Sequence, residues 1–203
     1  MRVGRVLHGS GSPDEPYGVN GPGLRSVVWL QGCTLACKGC INMWSWSENS
    51  VLARDVAPRS FARELVEGSD EGTKGVTLSG GEPLQQAAEV LEFVRELKRL
   101  QPDWSVFMFT GHTDREVLTE LSHEAALLLT RECDVTVTGR FERSRRCHGV
   151  WRGSGNQQVV FRSDRYRHLE DGLKHQIPLV GEIHLNNDGT LIKTGFTARS
   201  VNL

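Results

Sequence analysis

The 203-residue chain holds only five cysteines, an odd number, and its opening Met1-Arg2-Val3-Gly4-Arg5 runs into no apolar stretch of the secretory kind. An odd count cannot pair off completely, so no disulfide framework is expected. Thiols without disulfides imply metal or redox work in a reducing, cytoplasmic setting. Long hydrophobic runs are missing too: nothing approaches the ~18 consecutive apolar residues of a membrane helix, and no membrane partner is expected. Charge is close to balanced, with 24 Lys and Arg against 25 Asp and Glu. That balance removes any general attraction to nucleic acid or to an anionic surface. Repeats and low-complexity tracts are absent, and no Ser/His/Asp constellation stands out. With 38% hydrophobic residues the length suits a single domain over 1–203 with an adequate core.

What is present is concentrated. Three of the five cysteines fall in Gly32-Cys33-Thr34-Leu35-Ala36-Cys37-Lys38-Gly39-Cys40-Ile41-Asn42, a C-x3-C-x2-C run. Ferredoxin-type spacings supply four Cys ligands to each cluster. Here Cys33, Cys37 and Cys40 offer three corners for a cubane 4Fe-4S cluster, and no fourth Cys is near. A cluster held this way keeps one iron open to an outside ligand. The competing reading is structural zinc, which usually takes four ligands, often from two C-x2-C knuckles. Only half of that pattern is present, and the fourth ligand would come from distant Cys133, Cys147 or His148. Cys133 adjoins an apolar strand and reads as a small buried hydrophobe.

The stretch 1–25 is rich in Gly, Pro and Ser and reads as a loop. Apolar, β-branched runs predict strands at Val27–Leu30, Gly75–Ser79, Trp104–Phe109, Asp134–Thr138 and Val159–Phe161. Between them, 3.6-residue periodicity predicts helices over Pro58–Glu67, Ala87–Leu100, Asp114–Leu121 and Glu124–Leu129. Residues 182–194 alternate in period two, which predicts a C-terminal β-hairpin turning at Asp188-Gly189. Strand and helix in alternation define an α/β fold with parallel strands, read here as an incomplete (β/α) barrel of about five or six units. Chemistry in such folds sits at the carboxyl ends of the strands. The cysteine loop, Gly80-Gly81-Glu82-Pro83 and Thr110-Gly111-His112 each follow a predicted strand.

Ser79-Gly80-Gly81-Glu82-Pro83 is a tight strand-to-helix turn whose glycines let backbone approach a ligand. Paired with C-x3-C-x2-C about forty residues earlier, it resembles the radical S-adenosylmethionine (SAM) superfamily. More closely, Asn20-Gly21-Pro22-Gly23-Leu24-Arg25, Gly32-Cys33, Leu78 to Leu84, Phe109-Thr110-Gly111, Val137 to Phe141 and Trp151-Arg152-Gly153-Ser154-Gly155-Asn156-Gln157 resemble, in order, the activating proteins of anaerobic ribonucleoside-triphosphate reductase. Lys38, His112 and Thr138 depart from that family's usual Pro, Tyr and Asp.

The resemblance implies a 4Fe-4S cluster on Cys33, Cys37 and Cys40 and SAM at the remaining iron. It implies SAM contacts from Gly39, Cys40, Ile41, Gly80, Gly81, Glu82, Pro83, Thr110 and Asn156. A flavodoxin- or ferredoxin-like reductant would supply an electron, and SAM cleavage would place a radical on a glycine of a large partner, the reductase. Gly81 replaced by a β-branched residue is expected to lose SAM and keep the cluster. Trp44 and Trp46 either shield the cluster or pack as core. The segment Arg140–Arg152, with five arginines and one Glu, is either a solvated loop or the rim that docks the partner. Two other functions are weighed against activation: a radical SAM enzyme for a small molecule or peptide, similar to 7-carboxy-7-deazaguanine synthase, and a metal module without catalysis. The SAM-type turn speaks against the second.

Overall fold

The computed structural model describes residues 1–174, 181–185 and 189–195. In chain order the elements are β1 (Arg2–Ser10), β2 (Arg25–Leu30), β3 (Arg54–Asp55), α1 (Pro58–Gly68), β4 (Gly75–Gly80), α2 (Ala87–Leu100), β5 (Ser105–Thr110), α3 (Asp114–Glu120), α4 (His123–Leu127), β6 (Val135–Thr138), β7 (Arg146–Gly149), β8 (Arg152–Ser154), β9 (Gln158–Phe161), β10 (Gly181–Leu185) and β11 (Leu191–Gly195). Seven strands form one mixed sheet in the order β3-β1-β2-β4-β5-β6-β9. Its centre, β2-β4-β5-β6, is parallel; β1 and β9 flank it antiparallel. β7–β8 and β10–β11 are separate two-stranded ribbons.

The α/β class and the C-terminal hairpin match expectation, although Asp188 of the expected turn lies outside the described residues. The barrel is not found: among the described residues the sheet is open, with β3 and β9 at its edges. Four parallel strands stand where about five or six units were expected, because β9 follows β6 through a single 3-10 turn and the β7–β8 ribbon, with no α-helix between, and returns antiparallel. A parallel return needs a crossover of a dozen or more residues, usually helical.

Residues 1–25 are also corrected. Rather than a loop throughout, they contain β1, paired along β2. Its pairing shifts between Val3 and Arg5 and again between Leu7 and Ser10, so the alternation that marks a strand is broken. The first shift has a use. Val3 and Val6 pack into the helix-side core, while Leu7 joins Val27 and Trp29 on the opposite face.

The helices cover one face of the sheet. α1 begins on Pro58, which suits a first helical turn, and buries Phe61, Ala62 and Leu65. α2 buries Val90, Phe93, Val94 and Leu97. These meet Val28, Leu30, Val76, Leu78 and Met108 in the main core. Cys133 is buried there too, and burial pushes its thiol up to about 12. The opposite face carries smaller clusters around Phe107, Val137 and Trp151 and around Leu7, Trp29 and Ile192. With only small clusters on that face, room is left for a cavity.

The candidate cluster and cofactor site

Four loops leave the carboxyl ends of the parallel strands, and Cys33, Gly80, Thr110 and Gly139, one at or just past each strand end, line a single cavity of about 240 Å³. The first loop starts at Gly32, whose φ of +103° suits glycine, and its stem is fixed by backbone. The Gly32 N–H donates to the Ser45 carbonyl at 2.8 Å and the Cys33 N–H to Trp46 at 3.0 Å. Left-handed backbone at Ala36 and Gly39 turns the chain inside the loop. Cys33, Cys37 and Cys40 all line the cavity, and all are free thiols. Burial pushes the Cys33 and Cys37 thiols up; the nearby Glu82 adds to the first, and a hydrogen bond from the Phe141 backbone offsets part of the second. Among the described residues no three His, Cys, Asp or Glu groups converge tightly enough for a single metal ion. Three free thiols on one loop, facing one cavity, are a donor set that fits three corners of an iron–sulfur cubane.

The second loop is packed against the first. The Gly81 N–H donates to the Leu30 carbonyl at 2.8 Å and the Glu82 N–H to Gly32 at 2.9 Å. A Cβ on Gly81 would meet the Gly32 carbonyl oxygen at 2.3 Å, and one on Gly80 would meet Leu30 backbone at 2.6 Å. Glycine is therefore required at Gly81 by the cysteine loop and at Gly80 by the end of β2, whatever ligand approaches from the cavity.

Glu82 is the buried carboxylate of the site, 2% exposed. It accepts from the Leu84 N–H (3.0 Å), the Thr110 hydroxyl (2.7 Å) and the Gly111 N–H (2.8 Å), binding the second loop to the third. Burial pushes its carboxyl up from the ordinary value against the pull of these donors.

Of the expected contacts, Cys40, Ile41, Gly80, Gly81, Glu82 and Thr110 line the cavity, whereas Gly39, Pro83 and Asn156 do not. Gly39 faces Arg143 and Phe141. Pro83 is buried at the start of a short 3-10 turn. Asn156 donates to the Arg140 carbonyl at 2.7 Å. Gln157 does line the cavity; its Oε1 accepts from the Gly153 and Ser154 N–H groups and its amide donates to Gly139, which closes the turn. Trp44 also lines the cavity, with Arg5 stacked on it at 4.7 Å.

Sequence reasoning missed the far wall: Arg5, Tyr17, Trp29, Trp151, Ile192 and Thr194. The segment Arg140–Arg152 is not a plain loop but leads into the β7–β8 ribbon. The ribbon is pinned by Trp151, whose indole donates to the Gly18 carbonyl at 2.8 Å and whose ring meets Phe107 edge-on at 5.0 Å. The Trp151 signal was available as an aromatic within the Trp-Arg-Gly-Ser motif; its partners Gly18 and Phe107, distant in sequence, were not.

Fold and site together define an α/β protein with a three-cysteine loop at the carboxyl end of the parallel strands. The model of the 4Fe-4S single cluster domain family matches residues 19–160. Among relatives, the anaerobic ribonucleoside-triphosphate reductase-activating protein of Haemophilus influenzae is 37% identical over 145 residues, 70% of this chain and 90% of that protein. The protein of the same name from Pasteurella multocida is 34% identical over 151 residues (73% and 93%). That of phage T4 is 30% identical over 149 residues (72% and 89%). The chain belongs to the 4Fe-4S single cluster domain family and, within it, to the anaerobic ribonucleoside-triphosphate reductase-activating proteins.

Proposed function

We propose that this protein activates an anaerobic ribonucleoside-triphosphate reductase by generating a glycyl radical on it, using a 4Fe-4S cluster and SAM. The observation that carries the reading is the meeting of three free thiols with the ends of four parallel strands in one cavity. When bound, cluster and SAM supply reductive cleavage of a carbon–sulfur bond and hence a carbon radical. The chain's own residues do the rest. Cys33, Cys37 and Cys40 would hold three irons as thiolates once their thiol protons are lost. Ser79, Gly80 and Gly81 line the cavity, and the two glycines, with main chain alone to present, are suited to a methionyl amino group. Glu82 fixes Thr110 and Gly111 in place. Apolar walls of Trp29, Phe109 and Trp151 keep water from the reacting atoms. A one-electron donor of flavodoxin or ferredoxin type is needed, and a reducing cytoplasm suits five free thiols.

Anaerobic reconstitution with iron and sulfide, followed by dithionite and SAM, is expected to yield 5′-deoxyadenosine; its absence from cluster-loaded protein overturns the reading. Cys33→Ala, Cys37→Ala and Cys40→Ala are each expected to lose the cluster while Cys133→Ala keeps it, read as iron and sulfide per chain.

A further inference from the structure

The described parts of the C-terminal hairpin, Gly181–Leu185 and Leu191–Gly195, lie beyond the segment that matches the family model, which ends at residue 160. The relatives are covered over nine-tenths of their own length by about seven-tenths of this chain, so they are shorter than it. Even so, Ile192, Thr194 and Gly195 of the hairpin line the same cavity as the three cysteines. Ile192 and Thr194 are buried, while Leu191 before them and Lys193 between them are exposed, the alternation of a strand packed on one face, with Lys193 also at the edge of the cavity. Ile192 completes the apolar cluster of Leu7, Val27 and Trp29.

A chain of hydrogen bonds fastens the hairpin to the core. The Thr194 hydroxyl donates to Asn20 Oδ1 (3.0 Å), Asn20 Nδ2 donates to Ser10 Oγ (2.8 Å), and Ser10 Oγ donates to Glu182 Oε2 (2.8 Å). The same Glu182 oxygen lies 2.9 Å from His184 Nε2. The chain leaves the hairpin at Thr194, crosses the core at Asn20 and Ser10, and returns at Glu182. Asn20 is 6% exposed and itself faces the cavity; its carbonyl accepts from the Thr77 hydroxyl. With its oxygen, amide and carbonyl all engaged, Asn20 has one orientation before any ligand arrives.

We propose that the hairpin is a wall which this chain adds to the family core, and that Thr194 is a positioning residue. Through Asn20 it fixes this wall of the cavity, so that the carbon radical formed on SAM cleavage takes its hydrogen from the intended glycine and not from another C–H or S–H donor. The proposal rests on the activase reading. A hairpin that only capped the domain would change stability and leave the yield of glycyl radical per cleaved SAM as it was.

The test uses the full, cluster-loaded chain with a reductase of the family as partner, comparing wild type, Thr194→Val and Thr194→Ser. The glycyl radical formed per 5′-deoxyadenosine is expected to fall about threefold to tenfold in Thr194→Val, the range of one lost hydrogen bond, and to recover in Thr194→Ser. Amide exchange of residues 18–24 in protein without cluster or SAM is expected to quicken in the Val variant alone. Should Thr194→Val not fold, Glu182→Leu removes the acceptor of the Ser10 hydroxyl at the other end of the same chain and is expected to act in the same direction. An unchanged ratio, a loss that Ser does not restore, or unaltered exchange overturns the wall. If wild type cleaves SAM yet makes no glycyl radical, the choice of partner fails instead, and the exchange comparison still decides the wall.

Discussion

The cavity has two long walls built on different principles. Along the ends of the parallel strands the wall is main chain: Gly81 on Leu30, Glu82 on Gly32, Gly32 on Ser45, Cys33 on Trp46. No side chain separates the cysteine loop from the Gly80-Gly81 turn. Across the cavity the wall is side chain: Ile192 in an apolar cluster, and Thr194 at the head of a hydrogen-bonded chain that ends on Glu182. A backbone joint has no rotamers to adjust, so it holds the chemistry-bearing loop in one geometry and tolerates no added atoms. A side-chain joint gives by degrees, which suits a wall that shapes access.

The difference predicts a graded series, and its largest member is Gly81→Val. The new Cβ would lie 2.3 Å from the Gly32 carbonyl oxygen, and that oxygen is backbone, unable to swing aside. A loss of stability of roughly 3 kcal/mol or more is expected, as for severe overpacking, with loss of the cluster as well as SAM. The sequence alone argued that the cluster would survive; the packing of Gly81 on the cysteine loop argues that it does not. Urea titration of the apo protein beside iron content after reconstitution measures both. A Gly81→Val protein of wild-type stability with a full cluster would show that the backbone joint is looser than drawn.

How legible each wall was follows from the same contrast. The backbone wall is built from residues adjacent in sequence to strand ends, and its markers, three Cys and a Gly-Gly pair, have few other uses. Strands β2, β4, β5 and β6 and helices α1 and α2 were readable because each repeats its apolar period without interruption. The far wall was hidden for two physical reasons. Two register shifts broke the period of β1. The hairpin's links to Asn20 and Ser10 span more than 170 residues, and nothing in the period-two pattern of 182–194 names their partners. Asn156 and Gln157 were visible as a motif, yet a side chain that closes a turn and one that touches a ligand look alike in sequence.

A side-chain joint elsewhere at the strand ends is expected to give a smaller effect, and one that depends on pH. Glu116 caps α3 with Thr113 and pairs with Arg140 at 2.7 Å. The Thr113 backbone N–H first, and then Arg140, hold its carboxyl down to about 2. With the folded value below the unfolded one, this group adds stability above its ordinary 4.5 and loses it as pH falls toward about 2. Glu82 has the opposite sign. Its raised carboxyl favours the fold fully below the ordinary 4.5, and that contribution is lost as pH climbs through the folded value. Glu116→Gln is expected to cost about 1 kcal/mol at neutral pH, in the range of a lost cap, and almost nothing near pH 2. Denaturation at the two pH values checks it; a cost that does not shrink in acid would assign the loss to packing and not to charge.

The smallest effect is expected at the surface proposed to meet the partner. Of the five arginines in Arg140–Arg152, Arg140 is held by Glu116, and Arg143 lies along Gly39 of the cysteine loop. Arg145 is exposed, 3.7 Å from Glu142, and Arg146 is exposed at the start of β7. These last two belong to neither wall, while the ribbon they start is pinned to the core by Trp151. Charges so placed steer encounter more than they hold a complex. Arg145→Glu with Arg146→Glu is expected to slow glycyl-radical formation on the reductase about threefold to tenfold at low salt, shrinking as screening grows. Cleavage of SAM without partner is expected to continue, since neither arginine faces the cavity. Radical yield and 5′-deoxyadenosine, followed side by side across a salt series, separate these outcomes. Equal loss of both would place the ribbon inside the SAM site, and loss of neither would make it a solvated ribbon with no part in docking.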